Sequence, residues 1–266
     1  MNVRRVRTLM SKEFLDLRRN GAALLPVVLV TLMVLVLPFG IAVGIPFMTG
    51  HRLTDDSDLV RLSAMSGSRV EMSGEGRVQL MLFQQFLMWF LLIPITGAMA
   101  LAAHAVVGEK QSRTLEPLLA TPITTFELLI AKVLGSLLPT LAISSAGVAL
   151  YFVGVVLLAE PGVAPAMVTG RAALLLLLVG PASALVALQS AIIISSRVND
   201  ARTAQQFGVF IIIPLSALLV AQLMGEILLT AASLTFVGFG LLGVWGVLTL
   251  LSVALFERES ILTRWR

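Results

Sequence analysis

Residues 172–195 read AALLLLLVGPASALVALQSAIIIS, 24 consecutive residues without a charge. At a rise of about 1.5 Å per residue the run makes a helix of about 36 Å, enough to cross a hydrocarbon core of about 30 Å. A Lys, Arg or Asp at the centre of such a window costs roughly 2.5–3.5 kcal/mol. The stretch therefore reads as a membrane span. Working outward from it, residues 22–47, 80–107, 128–158 and 207–223 pass the same test approximately, as does a final region from 227 to 256. Composition agrees, with 58% hydrophobic residues, 13% charged residues and a mean hydropathy of +0.97. So little charge cannot clothe a soluble domain, which excludes most soluble enzymes.

The last region holds 30 uncharged residues, about 45 Å as one straight helix, longer than the bilayer is thick. Part of it must fold back. We expect residues 223–234 to form a short re-entrant hairpin and residues 235–256 the final span. Exposed irregular backbone cannot sit in lipid, so the hairpin must pack on protein. The fold class expected is an all-α integral membrane protein of six transmembrane helices, a single transmembrane domain spanning residues 1–266.

Orientation follows from the distribution of Lys and Arg. A six-span arrangement puts fourteen of the 19 basic residues on the side that holds both termini, and five on the other. Both termini are expected in the cytoplasm of a cell (inner) membrane. Residues 50–77, rich in Ser, Gly and Asp, then form an external loop too small to be a domain.

The net charge of +4 does not point to nucleic acid, because the basic residues sit between apolar runs rather than on one face. The chain has no Cys, which excludes disulfides and thiolate metal sites. Its two histidines, His51 and His104, are too isolated to build a metal cage. The N-terminal stretch lacks the short basic start and brief apolar core of a cleaved signal, so it is expected to stay attached. Within residues 1–20, Val3, Val6, Met10, Phe14 and Leu17 recur at spacings of three and four, the pattern of an amphipathic helix. Arg4, Arg5, Lys12, Asp16 and Arg19 lie off that stripe, so the helix is expected to rest in the headgroup layer.

The most informative segment is residues 108–129, GEKQSRTLEPLLATPITTFELL. Glu109 and Arg113 are four apart and can pair on one helical face. Leu115, Leu118 and Leu119 form an apolar edge beside those charges, which marks a contact surface. Pro117 suits a first helical turn and Pro122 ends what precedes it. Thr124 and Glu127 have the spacing of a capping box that starts the third span.

This segment, with Lys132 one turn into the next span, resembles the coupling helix of type-two ABC exporter permeases. The amphipathic N-terminus resembles that family's elbow helix, the expected hairpin its external re-entrant helices, and Phe256-Glu-Arg-Glu-Ser-Ile-Leu its usual tail. The resemblance implies a permease subunit that pairs with a second permease copy or a paralogue. It also implies that residues 108–122 dock on a separate cytoplasmic ATP-binding subunit. No Gly-x-x-x-x-Gly-Lys-Ser/Thr loop is present, so ATP and magnesium would be held by that partner and this chain would be no enzyme. Carried over residue by residue, Glu109, Arg113, Thr114, Glu116, Leu118 and Leu119 are the candidate ATPase-coupling surface. Arg197, Asp200 and Arg202 are candidates for a second cytoplasmic contact.

Polar side chains within the spans are sparse. Gln84, Gln85 and Gln189 could line a translocation path, with hydrogen bonding between helices as the alternative. His104 near the cytoplasmic end reads as a neutral histidine satisfied by a carbonyl, or as a pH-sensitive contact. No Asp or Glu lies deep in a span, against an ion-coupled carrier with a carboxylate relay. An intramembrane enzyme would need a nucleophile and base, or paired acids, on facing spans, and these are missing. Secondary carrier and intramembrane enzyme are therefore the alternatives to the permease, with lipid rather than nucleic acid as the surrounding partner.

Overall fold

The computed structural model describes residues 3–19, 21–65, 72–111, 124–198 and 230–255, with residues 200, 203, 206 and 213. No strand occurs among them. Five helices are long and apolar enough to cross a bilayer. We number the helices α1 (Val3–Arg19), α2 (Leu25–Thr49), α3 (Ser57–Met65), α4 (Gly74–Gln111), α5 (Thr125–Leu158), α6 (Val163–Met167), α7 (Gly170–Arg197) and α8 (Ala231–Leu255). The apolar windows locate α2, α4, α5, α7 and α8 to within a few residues. Apart from Ile213, the expected span 207–223, and the hairpin up to residue 229, lie outside the described residues.

Where ends differ from the windows, local caps decide. α4 starts at Gly74 rather than residue 80 because the Ser73 hydroxyl accepts from the Gly76 N–H, while Glu75 supplies the acid favoured in a first turn. α5 starts on the expected capping box, with Thr124 Oγ1 accepting from the Glu127 N–H and Glu127 from the Thr124 N–H. α8 starts at Ala231, before the expected 235, because Thr230 Oγ1 accepts from the Ser233 N–H. The last four residues assigned to the hairpin are therefore its first turn. Within the expected external loop, residues 57–65 are helical, and Glu75 fastens the preceding turn by accepting from the Leu53 and Thr54 N–H groups.

α4 is the axle of the bundle. Of its most apolar window 78% is buried, against 17% for α2 and α5 and 11% for α8. The outer helices thus leave most of their apolar surface exposed. Small residues let α4 and α7 approach closely, as Ala98 and Ala102 meet Ala184, Ala187 and Ala191 in one buried cluster with Ile95, Leu188 and Ile192. Gln189 of α7 donates to Ser252 of α8 at 2.6 Å, a neutral bond between two spans.

At the end away from α1 the core is aromatic. The buried Tyr151 ring lies 4.7 Å from Phe90, 5.6 Å from Phe39 and 6.0 Å from Phe83, centre to centre. Its hydroxyl donates to the Phe83 carbonyl at 2.8 Å. Gly154 makes room there, since a Cβ on it would lie 2.5 Å from the Phe39 ring. Nearby, buried Gln79 donates to the Ala42 carbonyl at 3.4 Å and accepts from the Glu160 N–H at 2.8 Å. Ala42 lies in a π-helical turn, Gly40–Gly44, where the ordinary ladder is interrupted. A π-helical turn also occurs at Leu175–Val179 in α7.

Candidate functional site

α1 forms the helix its periodicity predicts, but its protein-facing side is not the apolar stripe alone. Val6 and Leu9 are buried against Leu128 and Ala131 of α5, whereas Val3 is 69% exposed. The buried face is therefore turned toward Leu9 and Glu13. Gly135 of α5 permits this approach, because a Cβ there would sit 2.8 Å from the Glu13 Cβ. Lys12, expected in the headgroup layer, instead reaches inward. The reason is electrostatic, since buried carboxylates await it.

Those carboxylates and a second lysine form a four-charge cluster. Lys132, 1% exposed on the second turn of α5, places Nζ 2.6 Å from Glu109 Oε2 and 3.2 Å from Glu13 Oε1, and donates to the Ala105 carbonyl at 3.1 Å. Glu109 Oε1 accepts from Lys12 Nζ. Two ammonium groups and two carboxylates thus neutralise one another where α1, α4 and α5 meet. Burying an unpaired charge there would cost several kcal/mol, so this pairing is what lets α4 stay helical through Glu109. Burial works against the Lys12 ammonium, but Glu109, bonded to it, with Glu13 and Asp16 beside it, holds its pKa above the usual lysine value. Burial pushes the Glu13 carboxyl up against the pull of Lys132.

The next residue, Lys110, points elsewhere. Its Nζ donates to the Ser196 and Val198 carbonyls at 3.1 and 2.9 Å. A cation there satisfies orphan carbonyls at the C-terminus of α7 and complements its dipole. Adjacent residues at the end of α4 therefore tie it to α1 and α5 on one side and to α7 on the other. On the far side of residues 112–123, Glu127 is 3% exposed and lies 3.9 Å from Arg5. Both flanks of that segment are consequently fixed to one helix, α1, by Lys12 to Glu109 and by Arg5 to Glu127.

Of the candidate coupling residues, Glu109 is 6% exposed, its carboxylate paired with Lys12 and Lys132. Arg113, Thr114, Glu116, Leu118 and Leu119 lie outside the described residues. Arg197 ends α7, Asp200 accepts from the Thr203 N–H and hydroxyl at 3.1 Å each, and Arg202 lies outside the described residues. Lys110 brings the Arg197 end of α7 against the end of α4. Gln84 donates to the Ala166 carbonyl at 3.4 Å, and Gln85 Nε2 is buried without a hydrogen-bond partner among the described residues.

The model of the ABC-2 family transporter protein matches residues 7–237. The chain belongs to the ABC-2 transporter family. It is accordingly a membrane subunit of a transporter and not itself a catalyst. No curated protein matches the chain. The match opens within α1 and takes in Lys12, Glu13, Glu109 and Lys132, so the whole charge cluster lies inside the ABC-2 region. Reading the sequence singled out Glu109 and noted Lys132, but missed Lys12 and Glu13 as partners. The available signal was a lone lysine inside an apolar window, which needs a buried counter-charge.

Proposed function

We propose that the chain is the membrane-spanning subunit of an ATP-driven exporter, working with a second permease subunit and a separate cytoplasmic ATPase that binds ATP and magnesium. The single observation that carries this reading is that Glu109 and Glu127, on either side of residues 112–123, are both paired with α1. A push received between Gln111 and Thr124 is passed to α4 and α5 directly, to α1 through Glu109 and Glu127, and to α7 through Lys110. An ordinary connecting loop has no need of buried charge at both flanks. On this reading Glu109 works from inside, holding the segment's root, while Arg113, Thr114, Glu116, Leu118 and Leu119 make the docking surface. Arg197, Asp200 and Arg202 supply a neighbouring contact.

Six spans and cytoplasmic termini are part of the proposal. Arg197 closes α7 beside Lys110, at the α1 end, whereas Leu234 near the start of α8 joins the core with Leu175 at the opposite end. The chain between them therefore changes ends, which supports a further span at 207–223. α1 then lies in the cytoplasmic headgroup layer, and the substrate path runs near Gln84, Gln85 and Gln189.

The test is ATP hydrolysis by the reconstituted complex. Glu116→Lys and Arg113→Glu are expected to abolish the stimulation of the ATPase by the permease while leaving the permease folded. Unchanged stimulation in both variants overturns the coupling assignment.

A further inference from the structure

Beside the charge cluster, α1, α4 and α5, with Ala23, line a half-open cavity of about 420 Å³, within the size range of small-ligand sites. It has two kinds of wall. Lys12, Glu13 and Asp16 of α1, with His104 and Glu109 of α4, make the polar wall, and Leu17, Ala23 and Leu101 make the apolar one. The polar wall presents three carboxylates against one ammonium. Lys132 answers two of these carboxylates from behind, so among the described residues Asp16 is the negative charge in excess. Among the described residues the Asp16 carboxylate is held only by a 4.0 Å approach to Lys12, and it is 58% exposed. Glu13 engages Lys132 through Oε1, and its second oxygen has no bond among the described residues. His104 faces the same space without a hydrogen-bond partner among the described residues.

We propose that this cavity binds the head group of an amphiphile carrying a primary ammonium. The ammonium would sit against Asp16 and the second Glu13 oxygen, a phosphate or other acceptor against Lys12 or His104, and the tail along Leu17 and Leu101. A primary ammonium donates three hydrogen bonds, and charge-assisted bonds to carboxylate are the strong kind. A trimethylated choline ammonium donates none, and a glycerol head group brings no positive charge. Two sources carry the required chemistry, a phosphatidylethanolamine of the bilayer and an amphipathic amine arriving as cargo. The assignment rests on α1 lying at the membrane interface, and it needs no ATPase partner.

The full chain in nanodiscs holding equal phosphatidylethanolamine, phosphatidylcholine and phosphatidylglycerol, analysed by native mass spectrometry, tests it, with decylamine titrated in a second arm. Retention of phosphatidylethanolamine over phosphatidylcholine by about tenfold, one decade of binding constant, falling to parity in Asp16→Asn, supports a lipid occupant. Decylamine binding lost in Asp16→Asn, with no lipid enriched, supports an amine cargo. Equal retention of all three lipids with no decylamine binding, or enrichment that Asp16→Asn leaves unchanged, overturns the site. Failure here leaves the ATPase reading intact, and failure of ATPase stimulation leaves this result interpretable.

Discussion

The two ends of the helical bundle solve the same problem with different chemistry. At the α1 end, Lys132, Glu109, Glu13 and Lys12 hold three helices with ionic groups, whereas at the other end Tyr151, Phe39, Phe83, Phe90 and Gln79 use rings and neutral bonds. The difference lies in what a single loss costs. Removing one partner of a buried ion pair strands the other charge at about 3–5 kcal/mol, while losing one neutral hydrogen bond costs about 1 kcal/mol. The ionic end is thus held to one arrangement, and the neutral end can lose a contact and keep its packing. On the proposed function, a joint that passes on a push suits the first kind of chemistry.

The sharpest break of that contrast is Lys132→Met. It leaves Glu13 and Glu109 facing each other with Lys12 alone, and is expected to destabilise the α1 junction by about 3–5 kcal/mol. The chain has no native cysteine, so a Leu9→Cys label reports the junction cleanly. Fast thiol labelling of Leu9→Cys in the Lys132→Met background, restored to slow by Lys132→Arg, is the expected result. Next in size is Gly135→Val, which drives a side chain into Glu13 and is expected to cost about 1–3 kcal/mol in thermal unfolding, as overpacking does. At the neutral end, Tyr151→Phe keeps the ring stack and removes one bond, so about 1 kcal/mol is expected. A Tyr151→Phe loss as large as that of Lys132→Met would erase the contrast.

The smallest effect is a pH dependence. The Lys12 pKa is raised in the folded protein, so its contribution is fully present below the unfolded value of about 10.4. It is lost as pH rises through the higher folded value. Glu13 is also raised, so its contribution is greatest when protonated and declines as pH rises through its folded value. Acidification therefore does not release α1 through Glu13. Leu9→Cys labelling, corrected for the ionisation of the thiol itself, is expected to quicken as pH rises, through Glu13 first and through Lys12 only in the strongly alkaline range, and quickening on mild acidification would contradict the assignment.

Helix class and the places of five long apolar helices were legible because hydropathy over about 20 residues is a bilayer-length signal that tertiary contacts do not alter. The α5 start was legible because Thr124 and Glu127 carry a local capping rule. The α4 start was less so, since Ser73 caps a turn that hydropathy alone ignores. The charge cluster joins residues 12, 13, 109 and 132, and no local rule spans such separations. Counting only apolar residues on α1 assigned Lys12 to the headgroup layer, although Lys132 inside an apolar window already demanded a carboxylate from elsewhere. Gln189 was legible as a polar residue needing a partner, but its partner Ser252 is set by the α7 and α8 packing alone.

The most direct test of the central claim places a photo-crosslinking residue at Glu116 or Leu118, and as a control at Arg61 on the opposite side, in the full-length protein in its native membrane. The account predicts that the first two capture a protein carrying a nucleotide-binding Gly-x-x-x-x-Gly-Lys-Ser/Thr loop and that Arg61 does not. Capture of that partner from Arg61, or its absence from both Glu116 and Leu118, contradicts the account.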